Sequence, residues 1–142
     1  MSETDYNTAI IEEFRANAGQ VGGPWTGYPL ILVHHVGARS GAEHVTPLGC
    51  FPQEGDRFAI VASNGGSRAH PGWYYNLKAN PRIEVEVGAE RFPVLAEELD
   101  DAGRAALWPL LVAKVPQLGD FQARVTRQIP VFVLSRQTAP AR

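Results

Sequence analysis

Ile83, Val85 and Val87 alternate with Glu84 and Glu86, a period of two that makes one face of a strand apolar and the other wet. Gly88-Ala89 suits a two-residue turn with glycine first, and Phe92, Val94 and Ala96 resume the apolar face beyond it. This register sets Glu86 opposite Arg91, an exposed cross-strand pair worth roughly a few tenths of a kcal/mol. A chain whose plainest strands form a hairpin is steered toward an antiparallel sheet, and no strand-helix-strand alternation argues for a parallel one.

The other segments fit that class. Leu30-Ile31-Leu32-Val33 is apolar on consecutive positions, as in a barrel strand covered on both faces. Val45 to Phe51 and Arg57 to Ala62 are expected to pair across a turn at Gln53-Glu54-Gly55-Asp56. Ile129 to Leu134 is a last strand, expected at an edge because Pro130 cannot donate to a ladder. Thr4 or Asp5 caps a first helix that turns Ile10, Ile11 and Phe14 to one side and ends near Asn17 and Gly19. Gly22 to Gly27 is expected to be irregular. Pro71 opens a helix that stops at Asn80-Pro81. Asp100 or Asp101 starts another, kinked or restarted at Pro109, and Phe121 to Gln128 is expected to be helical. At 142 residues the chain suits one domain, 1–142, an α+β fold built on an antiparallel barrel with helices at its ends.

Candidate chemistry concentrates between Gly37 and Asn76. Gly37-Ala38-Arg39-Ser40-Gly41 sets a guanidinium, a hydroxyl and backbone donors in one tight turn, which is either an ordinary hairpin turn or a cradle for phosphate. Ser63-Asn64-Gly65-Gly66 follows a buried strand with two residues that lack side chains, where a ligand can approach the backbone. His70-Pro71-Gly72-Trp73-Tyr74-Tyr75-Asn76 brings three aromatics into one helical turn, and Trp73 and Asn76 share a face. These pieces look like one wall of a pocket for a flat, polar-edged ligand.

In order and spacing, GARSG at 37–41, TPL at 46–48, VASNGG at 61–66 and HPGWYYNLKANP at 70–81 closely resemble the deazaflavin-dependent nitroreductase and F420H2-dependent quinone reductase family, from about Phe14 to Val133. The resemblance implies a split β-barrel that binds coenzyme F420. It assigns Arg39, Ser40 and Gly41 to the phosphate and acidic tail of that cofactor. It assigns further contacts to His44, Val45, Thr46, Pro47, Leu48 and Gly49, to Val61, Ala62, Ser63 and Asn64, and to Gly72, Trp73, Tyr74, Tyr75 and Asn76. By the same analogy Trp25, Trp108, Leu118 and Phe121 wall the substrate. Arg68, Lys78 and Arg82 are further cations near that edge, or solvated surface. Many relatives carry lysine where this chain has Asn64, tyrosine at Phe121, and threonines at His34 and His35. A charged cofactor contact and a proton-donating hydroxyl are therefore missing here, and one of the two histidines is expected to face the cavity.

Composition removes other classes. A net charge of -2 with mixed signs argues against a nucleic-acid surface. The single cysteine, Cys50, cannot form an internal disulfide and lies in an apolar strand without a basic partner, so it is expected to be inert. The start, MSETDYNTAI, lacks a basic opening and a long apolar core, and no apolar run reaches the ~20 residues of a membrane span. A cytoplasmic protein is expected, with room for peripheral membrane contact through the first helix. His34 and His35 point to opposite strand faces and cannot chelate one ion, so no metal site is expected. No Ser-His-Asp order, no apolar carboxylate pair and no CxxC support hydrolysis. The expected function is an F420H2-dependent reductase that passes a hydride to a small-molecule acceptor, a quinone, enone or nitroaromatic, with the proton from water or a tyrosine. Two alternatives stay open: a split barrel holding flavin mononucleotide, and a non-catalytic cofactor- or ligand-binding protein. The oligomeric state is left open.

Overall fold

The computed structural model describes residues 3–137. Leu30–Val36 forms β1, and its apolar run is buried on both faces. Ile31 and Val33 join the barrel interior, while Leu30 and Leu32 join a cluster with Ile10 and Phe14. Those last two residues belong to α1, Glu3–Ala16, whose apolar side covers the barrel wall. The helix already includes Thr4 and Asp5, so neither stands at its cap. One 3-10 turn at Gly23–Trp25 interrupts the loop expected to be irregular.

The remaining strands are β2 (Glu43–Gly49), β3 (Phe51–Gln53), β4 (Arg57–Val61), β5 (Arg82–Val87), β6 (Glu90–Glu98) and β7 (Val131–Arg136). They form one seven-stranded antiparallel sheet in the order β2-β1-β5-β6-β7-β4-β3. Its two edge strands are consecutive in the chain, with only Cys50 between them. In a flat sheet those edges would stand roughly 29 Å apart, six strand spacings, a gap no single residue can cross. The sheet is therefore curled into a barrel.

This closure corrects the expected hairpin of residues 45–51 with 57–62. Val45 pairs with His34 of β1, and only Phe51 to Gln53 pair with β4. The apolar segment is cut at Cys50, whose N–H donates to the Pro29 carbonyl at 3.0 Å, and it is shared between the two edges. Burial pushes the Cys50 thiol up to about 12, consistent with an inert residue. The last strand is also corrected. It begins after Pro130 and lies between β6 and β4, so the missing N–H falls outside the ladder. The hairpin of β5 and β6 keeps the expected register, Glu86 opposite Arg91. Arg91 donates instead to Glu84, because Glu86 is held by Arg15 and His34.

Helices α2 (Gly72–Ala79), α3 (Asp101–Lys114) and α4 (Gln117–Arg124) complete the described residues. Asp100 caps α3 by accepting the Gly103 N–H at 2.8 Å. Pro109 neither ends nor restarts α3: it and Ala105 are exposed, so the carbonyl deprived of a donor faces water. The helix expected at 121–128 starts earlier and stops at Arg124. Gln122 accepts the Ile129 N–H at 2.9 Å and donates to the Arg127 carbonyl at 2.8 Å, which holds the following segment off a helical path. Leu111 and Leu118 pack with Ala59 and Val131 as a separate cluster on the β4–β7 wall. Among the described residues no helix is long and apolar enough to cross a membrane.

Candidate cofactor-binding cleft

A cleft of about 630 Å³ opens where five parts of the chain meet. β2 supplies His44, Thr46, Pro47 and Leu48, and β1 supplies His35. The end of β4 and the turn beyond it supply Val61, Ser63, Asn64 and Gly65. His70, Pro71, Gly72, Trp73 and Asn76 come from the start of α2, and Asn7 from α1. Among the described residues no carboxylate lines it. A smaller hollow of about 440 Å³ lies around His34, but Glu43 and Glu84 line that one.

The turn after β4 is shaped by its residue types. Asn64, Gly65 and Gly66 take φ of +48°, +64° and +83°, a left-handed run that asparagine and glycine tolerate. The Asn64 amide donates to the Ala69 carbonyl at 3.0 Å, closing the loop. Arg127 then gathers the segment from outside: its guanidinium donates to the carbonyls of Ala62, Ser63 and Ser67 and to Nδ1 of His70. His70 stacks on Tyr74 with ring centres 4.1 Å apart, and burial and the Arg127 charge hold its pKa below the usual value. The first turn of α2 follows, and its positive dipole end belongs to the cleft wall.

The two histidines of β1 part as the strand period requires. His34 meets Glu43 at 3.2 Å and Glu86 at 2.7 Å on the outer face. Glu86 also takes two hydrogen bonds from Arg15, which chiefly lower its carboxyl to about 2. His35 points the other way, into the cleft, stacked 5.3 Å from His44. Its ring nitrogens meet the Asn76 amide at 2.9 Å and the Thr46 hydroxyl at 2.8 Å. Burial, with the neighbouring His44 and His34, lowers its pKa to about 4.

The turn at 37–41 is tied to this wall, since the Asn76 Oδ1 accepts the Ala38 N–H at 2.9 Å. Gly37 and Ala42 close the turn at 2.8 Å, and a side chain at Gly37 would strike Ser40 Oγ. Ser40 Oγ accepts the Ala42 N–H at 3.1 Å. The amides of Arg39 and Ser40 have no partner among the described residues, and the exposed Arg39 side chain has no ion pair among them. Free amides and a guanidinium in one tight turn suit an anion.

Ten of the residues singled out from sequence therefore meet at the cleft: His44, Thr46, Pro47, Leu48, Val61, Ser63, Asn64, Gly72, Trp73 and Asn76. Trp73 is also core, edge-on to Phe132 with ring centres 5.9 Å apart. Arg39, Ser40 and Gly41 stand beside the wall in the tethered turn. Val45 packs toward α1 instead, and Gly49 and Ala62 act through backbone pairing with Leu30 and Pro130. Tyr74 donates its hydroxyl to Glu98, and Tyr75 is exposed. The four residues expected around a substrate are not brought together at the cleft. Trp25 packs on the α1 cluster and donates to the Tyr6 hydroxyl at 3.3 Å. Trp108, Leu118 and Phe121 belong to the β4–β7 cluster, where Phe121 backs the turn at Gly66. Lys78 pairs with Glu98, and Arg82 lines the smaller hollow. Gly65, His70 and Pro71, which stood in the motifs expected to form the wall without being named as cofactor contacts, also line the cleft, and sequence reasoning left out Asn7. It also passed over Arg127, for which no local signal exists.

Comparison with known proteins agrees with this architecture. The family model described as F420H(2)-dependent quinone reductase matches residues 8–136. An F420H(2)-dependent quinone reductase of Mycobacterium tuberculosis is 38% identical over 128 residues, which are 87% of this chain and 85% of the relative. A solved F420-H2 dependent reductase is similar at 38% identity and a TM-score of 0.68, covering 75% of this chain and 94% of that one. Another solved structure, described as a domain-swapped dimer, is similar at 35% identity and a TM-score of 0.70, covering 94% and 100%. The chain belongs to the F420H2-dependent quinone reductase family and is, with it, an F420-dependent oxidoreductase of split-barrel fold.

Proposed function

We propose that the cleft holds reduced coenzyme F420 and that the protein uses it to reduce a quinone. The observation that carries this reading is the cleft wall, which among the described residues is free of carboxylates in a chain of net charge -2 and adjoins the turn bearing Arg39. An anionic cofactor tail would meet attraction there and no repulsion. Arg39, with the free amides of Arg39 and Ser40, would hold the phosphate end. Pro47, Leu48, Val61 and Trp73 offer apolar surface to a flat ring, and Thr46, Ser63 and Asn64 offer polar contacts to its edge.

When bound, F420H2 supplies a hydride, and a quinone that takes this hydride and one proton leaves as a hydroquinone. Among the described residues no tyrosine lines the cleft and the Tyr74 hydroxyl is engaged by Glu98, which supports water as the proton source under this reading. Enones and nitroaromatics accept hydride in the same way and are further acceptors under this reading. The test is anaerobic mixing of the protein with F420H2 and menadione. Menadione-dependent loss of the reduced cofactor supports the reading, as does the same loss with an enone or a nitroaromatic for those acceptors. Tight cofactor binding without turnover would leave a binding protein, and binding of flavin mononucleotide in place of F420 would overturn the cofactor assignment.

A further inference from the structure

A short relay of hydrogen bonds at the cleft has only one arrangement of its protons. The Asn76 Oδ1 accepts the Ala38 N–H at 2.9 Å, so Nδ2 is the end of that amide facing His35. An amide NH2 offers donors only, and it stands 2.9 Å from the His35 Nδ1, which is therefore the unprotonated nitrogen. A neutral imidazole then carries its proton on Nε2, 2.8 Å from the Thr46 Oγ1. Thr46 Oγ1 accepts this hydrogen bond from Nε2–H, and its own hydroxyl hydrogen is left over. No acceptor for it exists among the described residues, and Thr46 lines the cleft. The neutral form is supported by burial: His35 is 5% exposed and has, among the described residues, histidines and no carboxylate beside it, which lowers its pKa to about 4.

We infer that Thr46 is a specificity-determining donor: its hydroxyl hydrogen is offered to the molecule in the cleft, which selects a ring edge presenting a carbonyl oxygen or an unprotonated nitrogen there. An N–H at the same point would face a donor and lose its partner. His35 and Asn76 are positioning residues that act through Thr46. That the ligand is F420 rests on the function proposed above, whereas the direction of the relay does not.

Two measurements on the full chain test the inference. A long-range proton–nitrogen NMR spectrum of the 15N-labelled protein, with His35 assigned through His35→Gln, reads the tautomer. The expected result is a neutral ring at pH 7 with the proton on Nε2, and a mixed population in Asn76→Ala; a proton on Nδ1 in the wild-type chain overturns the relay. The second measurement is titration with F420. Thr46→Val, which keeps the shape and removes the hydroxyl, is expected to weaken binding about 3- to 10-fold, with Thr46→Ser within about twofold of wild type. Equal affinity of Thr46→Val and wild type overturns the inference while leaving F420 in the cleft. Failure of the wild-type chain to bind F420 overturns the proposed function instead, and the tautomer then decides the relay alone.

Discussion

The Arg127 guanidinium stands 3.0 Å from Nδ1 of His70, a residue 57 positions away, and donates to it. The same group donates to the carbonyls of Ala62, Ser63 and Ser67 at 3.0 to 3.3 Å, so one side chain closes the turn that walls the cleft. Arg127→Ala is expected to lower stability by about 1–3 kcal/mol in urea unfolding and to weaken F420 binding. Arg127→Lys should resemble the alanine variant, because an ammonium cannot reproduce the planar fork. Full stability and affinity in the lysine variant would show that the fork is not what shapes the wall.

His35 gives stability a pH dependence just below neutrality. Its folded value of about 4 lies under the ordinary 6.5, so between the two the unfolded chain binds a proton that the folded one refuses. Stability should therefore fall as pH drops from 6.5 to 4, by about 2–3 kcal/mol. Urea unfolding across this window should show the slope in the wild-type chain and lose most of it in His35→Asn.

Glu86 acts in a lower window and with the carboxylate sign. Its folded value of about 2 lies under the ordinary 4.5, so the stability it contributes is complete above pH 4.5 and is lost as pH falls toward 2. Arg15 is 49% exposed, and solvent screening limits the effect to about 1–2 kcal/mol. Glu86→Gln should flatten the acid limb of the stability profile, and added salt should reduce the difference between the two proteins.

Gly66 links the cleft wall to α4. Its φ is +83°, and a Cβ there would lie 2.9 Å from the Phe121 ring. Gly66→Ala is expected to destabilise by about 2–3 kcal/mol through backbone strain and overpacking together. Phe121→Leu should recover the packing part, so a double-mutant cycle by chemical unfolding should be non-additive. Strict additivity would place Phe121 away from the turn.

What the sequence makes legible here is what local period and turn chemistry control. The hairpin of β5 and β6 is readable down to its register, because glutamates and valines alternate into a glycine-led turn. The parting of His34 and His35 follows from the same period. The path of residues 45–62 is not readable, because an apolar strand pairs as well with β1 as with β4, and only closure of the barrel shows that Cys50 divides it. The helix around Phe121 is displaced because Gln122 contacts Arg104 and the Ile129 segment through tertiary hydrogen bonds.

The site shows the same division. Glycines, the Arg39 turn and the aromatic start of α2 announce themselves as motifs, and the structure gathers most of them at one cleft. Arg127 is, in sequence, one cation among thirteen lysines and arginines, and its role exists only through carbonyls 60 and more residues away. Trp108 and Leu118 look like pocket walls by analogy, yet they fill the space under α3 and α4, since large apolar side chains serve a core and a binding wall equally well.

The most direct test of the central claim compares two ligands on two proteins by calorimetry: F420 and the same deazaflavin chromophore without its phosphate and acidic tail, on the wild-type chain and Arg39→Ala. If the cleft holds the ring and the 37–41 turn holds the tail, Arg39→Ala should weaken F420 about 10- to 100-fold and leave the tail-less chromophore unchanged. Equal weakening of both ligands, or of neither, would contradict that placement.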